Sequence, residues 1–170
     1  IPDEQIGEVA REAVEVTEVE AGDGNAERIL DRPVGFHFLP NGVYQKRRNR
    51  DEADYIAHLV RGLLNRGDGL SIGIVAFSEA QQSEIEESLD RLASEDRKFK
   101  TLLDAELERE DDGQFVGLLV KNLENIQGDE RDIVIMSVCY GYDADRKMRM
   151  NFGPINQSGG DKRLNVAFSR

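Results

Sequence analysis

The stretch Leu70-Ser71-Ile72-Gly73-Ile74-Val75-Ala76-Phe77 decides the fold class of this chain. Its apolar residues run on without polar alternation, which predicts a strand buried on both faces of a parallel sheet. A second run, Asp132 to Cys139, predicts another buried strand, and Gln114 to Val120 predicts a third. Because helix-like segments lie between these strands, the sequence predicts an α/β fold with a parallel sheet flanked by helices.

The segments around this strand carry helix signals. Asn49 and Glu52 have the spacing of a capping box, and the apolar residues that follow, up to Leu64, recur at helical spacing. A second helix is predicted to begin at Ser78 or Glu79. The remaining predicted elements are a strand over 34–39, a short helix over 99–107, a helix over 161–170, and either a helix or an edge strand within 10–20.

Composition excludes several classes of protein. The chain has 170 residues and one cysteine, so no intrachain disulfide forms, and no apolar run approaches the roughly 18 residues of a membrane span. Its first residues do not read as a secretory leader. We therefore expect a soluble, cytoplasmic domain with no membrane partner.

The net charge of −12 is unevenly distributed. Residues 1–31 carry a net charge of −8, and we interpret them as an acidic, poorly ordered arm or linker. Residues 79–112 also carry −8, which leaves +4 for the rest of the chain. The overall acidity therefore does not exclude a nucleic-acid partner for that remainder.

Several chemical signatures are absent from the sequence. It has no G-x-x-x-x-G-K-[ST] loop, so this chain does not cradle a triphosphate in that way. It has no H-E-x-x-H and no paired cysteines, and its two histidines, His37 and His58, fall within strand and helix patterns. We expect structural roles for both histidines and no metal site.

Three strings carry a resemblance to a known family: S-I-G-I-V-A-F-S-E-A-Q-Q (71–82), V-K-N-L-E-N-I-Q-G-D-E-R-D-I-V-I-M-S (120–137) and F-G-P-I-N-Q-S-G-G-D-K-R-L-N-V-A-F-S-R (152–170). Their order and spacing resemble motifs IV, V and VI of superfamily 1 helicases. The likeness is to the 1B branch, which contains the nonsense-mediated-decay RNA helicase and bacterial DNA helicases. N-R-D-E-A at 49–53 matches the helix start that precedes motif IV there. The resemblance implies that residues 32–170 form a RecA-like domain of the P-loop NTPase type, the second of two motor domains, cut at motif VI.

The family clamps one ATP and its Mg²⁺ between two RecA-like domains, and the lysine loop belongs to the first. The resemblance thus implies an ATP-hydrolysing helicase as the parent protein, with the first RecA-like domain and single-stranded DNA, or RNA, as partners. The isolated fragment is expected to be monomeric and inactive. Arg170 matches the motif VI arginine finger, and Arg163, seven residues earlier, would be its companion at the phosphates.

Motifs IV and V imply further site residues. Gln127, Gly128 and Glu130 would bind the nucleotide from a loop at a carboxyl end of the sheet. Gln81 keeps its motif IV place, as a nucleotide-site residue that supports the helix start. The adjacent Phe77, which departs from the commoner motif, fits either the core or a ligand-facing position.

Contacts to nucleic-acid phosphates are expected from a polar residue and from two basic clusters. Mobile cations in loops make such contacts, although ordinary solvated charge remains the alternative. The predicted residues are Asn122, the cluster Lys46, Arg47 and Arg48 with Arg50, and the cluster Arg146 and Lys147 with Arg149.

Two other functions stay open at this stage. A non-catalytic acidic α/β domain could dock a basic protein partner, and a lysine loop encoded upstream would decide against it. A divalent-metal nuclease cluster of Asp129, Glu130 and Asp132 is disfavoured, because no further carboxylate or lysine has the required spacing.

Overall fold

The computed structural model describes residues 16–19, 22, 24–31, 33–126 and 130–148. The predicted helix over 161–170 lies outside the described residues. The elements in chain order are β1 (Val16–Glu18), α1 (Asn25–Ile29), β2 (Phe36–Phe38), β3 (Tyr44–Gln45), β4 (Arg48–Asn49), α2 (Arg50–Arg66), β5 (Ile72–Ala76), α3 (Glu79–Glu95), α4 (Arg97–Leu107), β6 (Glu110–Asp111), β7 (Gln114–Phe115), β8 (Leu119–Asn122) and β9 (Ile133–Ser137).

A three-stranded parallel sheet forms the centre of the described structure, with strand order β8-β5-β9. Ile74 of β5 lies opposite Val120 on one side and Ile135 on the other. All five residues of β5 are buried, because strands pair with both of its edges and side chains cover both of its faces. The predicted α/β class, a parallel sheet with flanking helices of the RecA-like type, is confirmed.

Helices α2 and α3 pack against each other and bury their apolar stripes with one face of the sheet. Val75 points to the opposite face, where Leu123 and Ile126 from the loop after β8 cover it. Val19 and Ala26, from the segment predicted to be an arm, lie in the main core cluster. These two residues are therefore packed into the domain.

The helix boundaries follow from their caps. The Asn49 side chain accepts a hydrogen bond from the Glu52 amide at 3.1 Å, and the Ser78 hydroxyl accepts one from the Gln81 amide at 3.1 Å. Gly67 ends α2 with a φ of 68°, a conformation that glycine adopts without strain. Both predicted helix starts are confirmed. Among the residues described, no helix is long and apolar enough to cross a membrane.

Two predicted elements differ in the structure. The single strand predicted over 114–120 is two strands, because the chain turns against the end of α4 at Gly117. A Cβ at Gly117 would lie 1.7 Å from the Glu106 carbonyl oxygen, so only glycine permits this approach. Within 10–20, the strand alternative holds for Val16–Glu18, which pairs in parallel with β2.

Candidate functional site

A buried polar cluster joins three segments at the carboxyl ends of β5 and β9. Gln81, on the first turn of α3, has no exposed surface. Its side-chain oxygen accepts a hydrogen bond from the Asn49 amide at 2.7 Å, and its side-chain nitrogen donates to the Asn49 carbonyl and the Ser137 hydroxyl at 3.1 Å each. In this arrangement the Gln81 side chain links the first turn of α3 to Asn49 and Ser137, and its predicted nucleotide contact stays a prediction.

Glu52 extends this cluster to the residues that follow β9. Its carboxylate accepts hydrogen bonds from the Ser137 hydroxyl at 2.7 Å and from the Cys139 amide at 3.1 Å. Burial raises the pKa of the Glu52 carboxyl, and the hydrogen bonds from Ser137 and from the backbone of Cys139 and Val138 oppose that rise. Burial also raises the pKa of the Cys139 thiol, to about 12, so this thiol is not a reactive nucleophile.

The basic residues Lys46 and Arg47 form the two-residue turn of the β3–β4 hairpin. Both have positive φ values, 52° and 66°, as in the type I′ turns that close tight hairpins. The Ser78 hydroxyl donates a hydrogen bond to the Arg47 carbonyl at 2.6 Å. This contact holds the turn over the carboxyl end of β5 while the Lys46 and Arg47 side chains stay exposed.

The segment after β9 packs against this hairpin. The Tyr44 amide donates to the Tyr142 carbonyl at 2.9 Å, and the rings of Tyr44 and Tyr140 lie 5.4 Å apart. The Arg146 guanidinium donates to the Pro40 carbonyl at 3.4 Å. The structure thus brings the two predicted basic loops, far apart in sequence, to the same edge of the sheet.

Tyr142 is a surface residue of this edge that the sequence reasoning missed. Its side chain is 47% exposed, and its strand-like pairing with Met148 places it at the base of the loop that carries Arg146 and Lys147. An aromatic residue four positions before a basic pair was the signal that could have found it. We call Lys46, Arg47, Tyr142, Arg146 and Lys147 the basic-tyrosine surface.

Arg48 differs from the other members of its predicted cluster. Its guanidinium forms an ion pair with the Glu84 carboxylate at 2.9 Å, and the Glu84 side chain is only 6% exposed. Removing Arg48 would leave a buried carboxylate without this partner. The prediction of Arg48 as a mobile phosphate contact is therefore corrected to a structural ion pair. Glu84 is buried although it belongs to the acidic segment 79–112.

Asn122 ends β8 and is 8% exposed. Its side-chain oxygen accepts a hydrogen bond from the Glu124 amide at 3.1 Å, which shapes the turn after the strand. The side chain lies at the expected edge of the sheet, beside Ala76 across the strand pair. Its contact in this structure is with its own loop.

Glu130 lies at the opposite edge of the sheet from Asn122. Two residues after Glu130, the Asp132 carboxylate accepts hydrogen bonds from the Ser71 amide at 2.8 Å and the Ser71 hydroxyl at 2.7 Å. Ser71 precedes β5, so this contact marks the amino ends of the strands. The prediction that this loop sits at a carboxyl end is wrong for Glu130, because a parallel sheet returns the chain to the amino edge before β9 begins.

Arg131 fixes the chain at this amino edge. Its guanidinium donates to the Gly117 carbonyl at 3.0 Å and lies over the Phe115 ring, 5.5 Å from the centroid. Glu130 itself is exposed. The exposed Glu130 is therefore adjacent to Arg131, whose side chain is held by contacts with Gly117 and Phe115.

Five predicted site residues lie outside the described residues: Gln127, Gly128, Arg149, Arg163 and Arg170. Within the described part of the chain, no three histidine, cysteine or acidic side chains converge as a metal site would need. His37 forms a hydrogen bond with the Tyr55 hydroxyl, and the ring nitrogen of His58 lies 3.0 Å from the Arg61 guanidinium. Each histidine ring is therefore engaged by a neighbouring side chain.

Comparison with known proteins places the chain in a family. The family model described as "AAA domain" matches residues 31–170. The chain belongs to the AAA domain family. This match covers both edges of the sheet and every predicted site residue.

Two curated relatives of this AAA domain are bacterial proteins named as uncharacterized ATP-dependent helicases. The protein from Mycoplasma genitalium is 38% identical and the one from Mycoplasma pneumoniae is 36% identical, each over 136 residues. The match covers 79% of this chain but only 11% of each relative, so the chain spans a small part of their length. No solved structure gives a significant match.

Proposed function

We propose that residues 32–170 are the second RecA-like motor domain of an ATP-dependent superfamily 1 helicase of the 1B branch. The names of the two relatives and the AAA domain match support this proposal, and so do the three strings that resemble motifs IV, V and VI. In it, the domain completes an ATP site with a first RecA-like domain and contacts a single nucleic-acid strand. The observation that carries the second role is the basic-tyrosine surface.

The basic-tyrosine surface has the chemistry that single-strand binding needs. Exposed cations neutralise successive phosphates, and an exposed aromatic ring offers a face on which a base stacks. Lys46 and Arg47 come from one loop and Arg146 and Lys147 from another, and the Tyr44–Tyr142 backbone hydrogen bond joins the two loops. Asn122, at the same edge, is proposed to touch a phosphate when its loop engages the strand.

The nucleotide is assigned to the other edge of the sheet. Glu130, with Gln127 and Gly128 before it, is proposed to contact the nucleotide, and Arg163 and Arg170 are proposed to stabilise the charge that develops on the transferred phosphoryl group. By the resemblance to the family, Mg²⁺ is proposed to bind with ATP, mainly on the first domain. The 170-residue chain is then a monomer that hydrolyses no ATP by itself.

Binding of single strands by the full-length protein tests the nucleic-acid role. The probes are a fluorescent oligo-dT and an oligo-U of equal length, titrated at several salt concentrations. Replacing Lys46 and Arg47 together by alanine should weaken binding at least tenfold and reduce the salt slope by about 1.4, since each lost phosphate contact on a single strand removes about 0.7. The matched control replaces Arg97 and Lys98, exposed cations that begin α4.

Equal effects of the two double replacements would contradict the assigned surface. Absence of single-strand binding by the unmodified protein would contradict the nucleic-acid role and favour the acidic protein-interaction domain. The ratio of oligo-dT to oligo-U affinity would decide between DNA and RNA.

ATP hydrolysis tests the motor role separately. Arg170→Ala in the full-length protein should lower kcat by about 10³-fold, the range measured for arginine fingers. An unchanged kcat would contradict the finger assignment. Steady-state turnover by the purified 170-residue chain would contradict the proposal that half of the ATP site lies in another domain.

A further inference from the structure

A strained turn follows β9 at the carboxyl edge of the sheet. Cys139 has a φ of 58°, and the Tyr140 amide donates a hydrogen bond to the Val138 carbonyl at 2.7 Å across it. A three-residue turn with positive φ at a non-glycine centre is rare and strained. Neighbouring contacts must therefore hold it in place.

Glu52 supplies such a contact from outside the turn. Its carboxylate accepts from the Cys139 amide at 3.1 Å, at the centre of the strained turn, and from the Ser137 hydroxyl at 2.7 Å, one residue before Val138. The Ser137 hydroxyl also accepts from the Gln81 side chain at 3.1 Å, so its orientation toward Glu52 is fixed. Ser137 and Cys139 have no exposed surface, so water does not replace these hydrogen bonds.

The turn sets the direction of the chain toward the basic-tyrosine surface. Three residues after Cys139, the Tyr142 carbonyl accepts from the Tyr44 amide at 2.9 Å, and Tyr140 packs on Tyr44. Tyr44 belongs to the hairpin that carries Lys46 and Arg47. The direction of the turn therefore sets the relative position of the loop that carries Arg146 and Lys147 and the hairpin that carries Lys46 and Arg47.

From this geometry we propose that Glu52 is a positioning residue of the basic-tyrosine surface, which holds the turn at Cys139 so that both basic loops engage one strand together. This inference rests on the proposed function. It assigns to Glu52 a role apart from capping, because the Asn49 amide that a capping-box glutamate would bind donates to Gln81 instead.

The test compares Glu52→Ala and Glu52→Gln in the full-length protein, with Glu87→Ala, an exposed glutamate of α3, as the control. The glutamine oxygen still accepts both hydrogen bonds, whereas alanine accepts neither. Hydrogen exchange of the peptide over 137–142, followed by mass spectrometry, should accelerate about tenfold in Glu52→Ala. Glu52→Gln and Glu87→Ala should stay within about twofold of the unmodified protein.

Single-strand binding gives a readout that a general loss of stability would not move. Oligo-dT affinity should fall at least fivefold in Glu52→Ala, and the salt slope should fall by about 0.7 for each phosphate contact that the displaced loop loses. The Glu52→Gln protein should bind as the unmodified protein does. Ser137→Ala removes one of the two hydrogen bonds and should give exchange rates and affinities between those of Glu52→Ala and the unmodified protein. It replaces Glu52→Ala in the test if that variant fails to fold.

Separate results overturn the two proposals. If the unmodified protein does not bind single strands, the proposed function fails, and unchanged exchange at 137–142 in Glu52→Ala would independently overturn the positioning role. Faster exchange with unchanged affinity and salt slope would also overturn it. Equal impairment of Glu52→Gln and Glu52→Ala would show that charge, and not hydrogen bonding, is used, which contradicts the inference.

Discussion

Gln81 accepts the hydrogen bond from the Asn49 amide, at 2.7 Å, that a reciprocal capping box would have given to Glu52. This exchange of partners leaves the Glu52 carboxylate free to accept hydrogen bonds from Ser137, the last residue of β9, and from Cys139 in the turn after it. A local helix-start signal thereby becomes part of a contact between three distant segments.

Gln81→Ala should lower the free energy of unfolding by about 1–3 kcal/mol. The buried Asn49 amide loses its acceptor, and an unsatisfied buried donor carries its full desolvation penalty. Urea unfolding followed by circular dichroism measures the change. Ser83→Ala, an exposed position on the same helix, should change stability by less than about 0.5 kcal/mol, and a similar loss in both variants would contradict the role of Gln81.

Gly117→Ala should destabilise the protein by at least about 3 kcal/mol. The added Cβ would lie 1.7 Å from the Glu106 carbonyl oxygen, which is backbone and cannot rotate away. Gly141→Ala is the matched control, since no atom lies within 4 Å of a Cβ there and its φ is not positive. Thermal unfolding measures both variants, and a Gly117→Ala protein as stable as the Gly141→Ala protein would contradict the close approach.

Arg48→Ala should cost about 1–3 kcal/mol of stability, because it leaves the buried Glu84 carboxylate without its ion-pair partner. Adding Glu84→Gln should recover part of that loss, since the unpaired charge is then removed. Arg50→Ala breaks a more exposed pair with Asp54, at 3.8 Å, and should cost less than about 0.5 kcal/mol. Additive effects of Arg48→Ala and Glu84→Gln in a double-mutant cycle would argue against the pair.

Asp132 should stabilise the fold at neutral pH and lose that effect on acidification. Hydrogen bonds from the Ser71 hydroxyl and amide hold the pKa of the Asp132 carboxyl below its usual range. The unfolded chain then binds the proton more tightly, so stability falls as pH drops from the usual carboxyl range through the folded pKa.

Asp132→Asn should therefore lower the free energy of unfolding by less than about 1 kcal/mol at pH 7, because the carboxyl is exposed and solvent screens its interactions, and by progressively less below about pH 4. Urea unfolding over this pH range gives the difference between the two proteins. Asp90→Asn, at an exposed position on α3, is the matched control for the substitution itself. A constant difference between the unmodified and Asp132→Asn proteins would contradict the role of the ionised carboxylate.

Local signals in the sequence predicted much of the fold. The apolar runs gave the three strands of the central sheet, because burial on both faces leaves no alternation, and Asn49 and Ser78 marked two helix starts. The break at Gly117 could not be foreseen, because it depends on the approach of a helix end that is distant in space.

The site was less predictable than the fold. Basic residues could be recognised as candidates, but the Arg48–Glu84 ion pair depends on the packing of β4 against α3. The position of Glu130 depends on the chain crossing the sheet between β8 and β9, which residue spacing alone does not reveal. The position of Tyr142 depends on its backbone contacts with Tyr44 and Met148, which residue spacing does not reveal.

Strand β9 is anchored at both of its ends. Just before it, the Asp132 carboxylate accepts a hydrogen bond from the Ser71 hydroxyl. At its last residue, the Ser137 hydroxyl forms hydrogen bonds with Glu52 and Gln81. Strand β5 pairs with it along its length. Five residues of strand span about 16 Å. Because β9 is fixed at both ends and paired along its length, we expect a displacement at one edge of the sheet to be passed along the strand to the other edge.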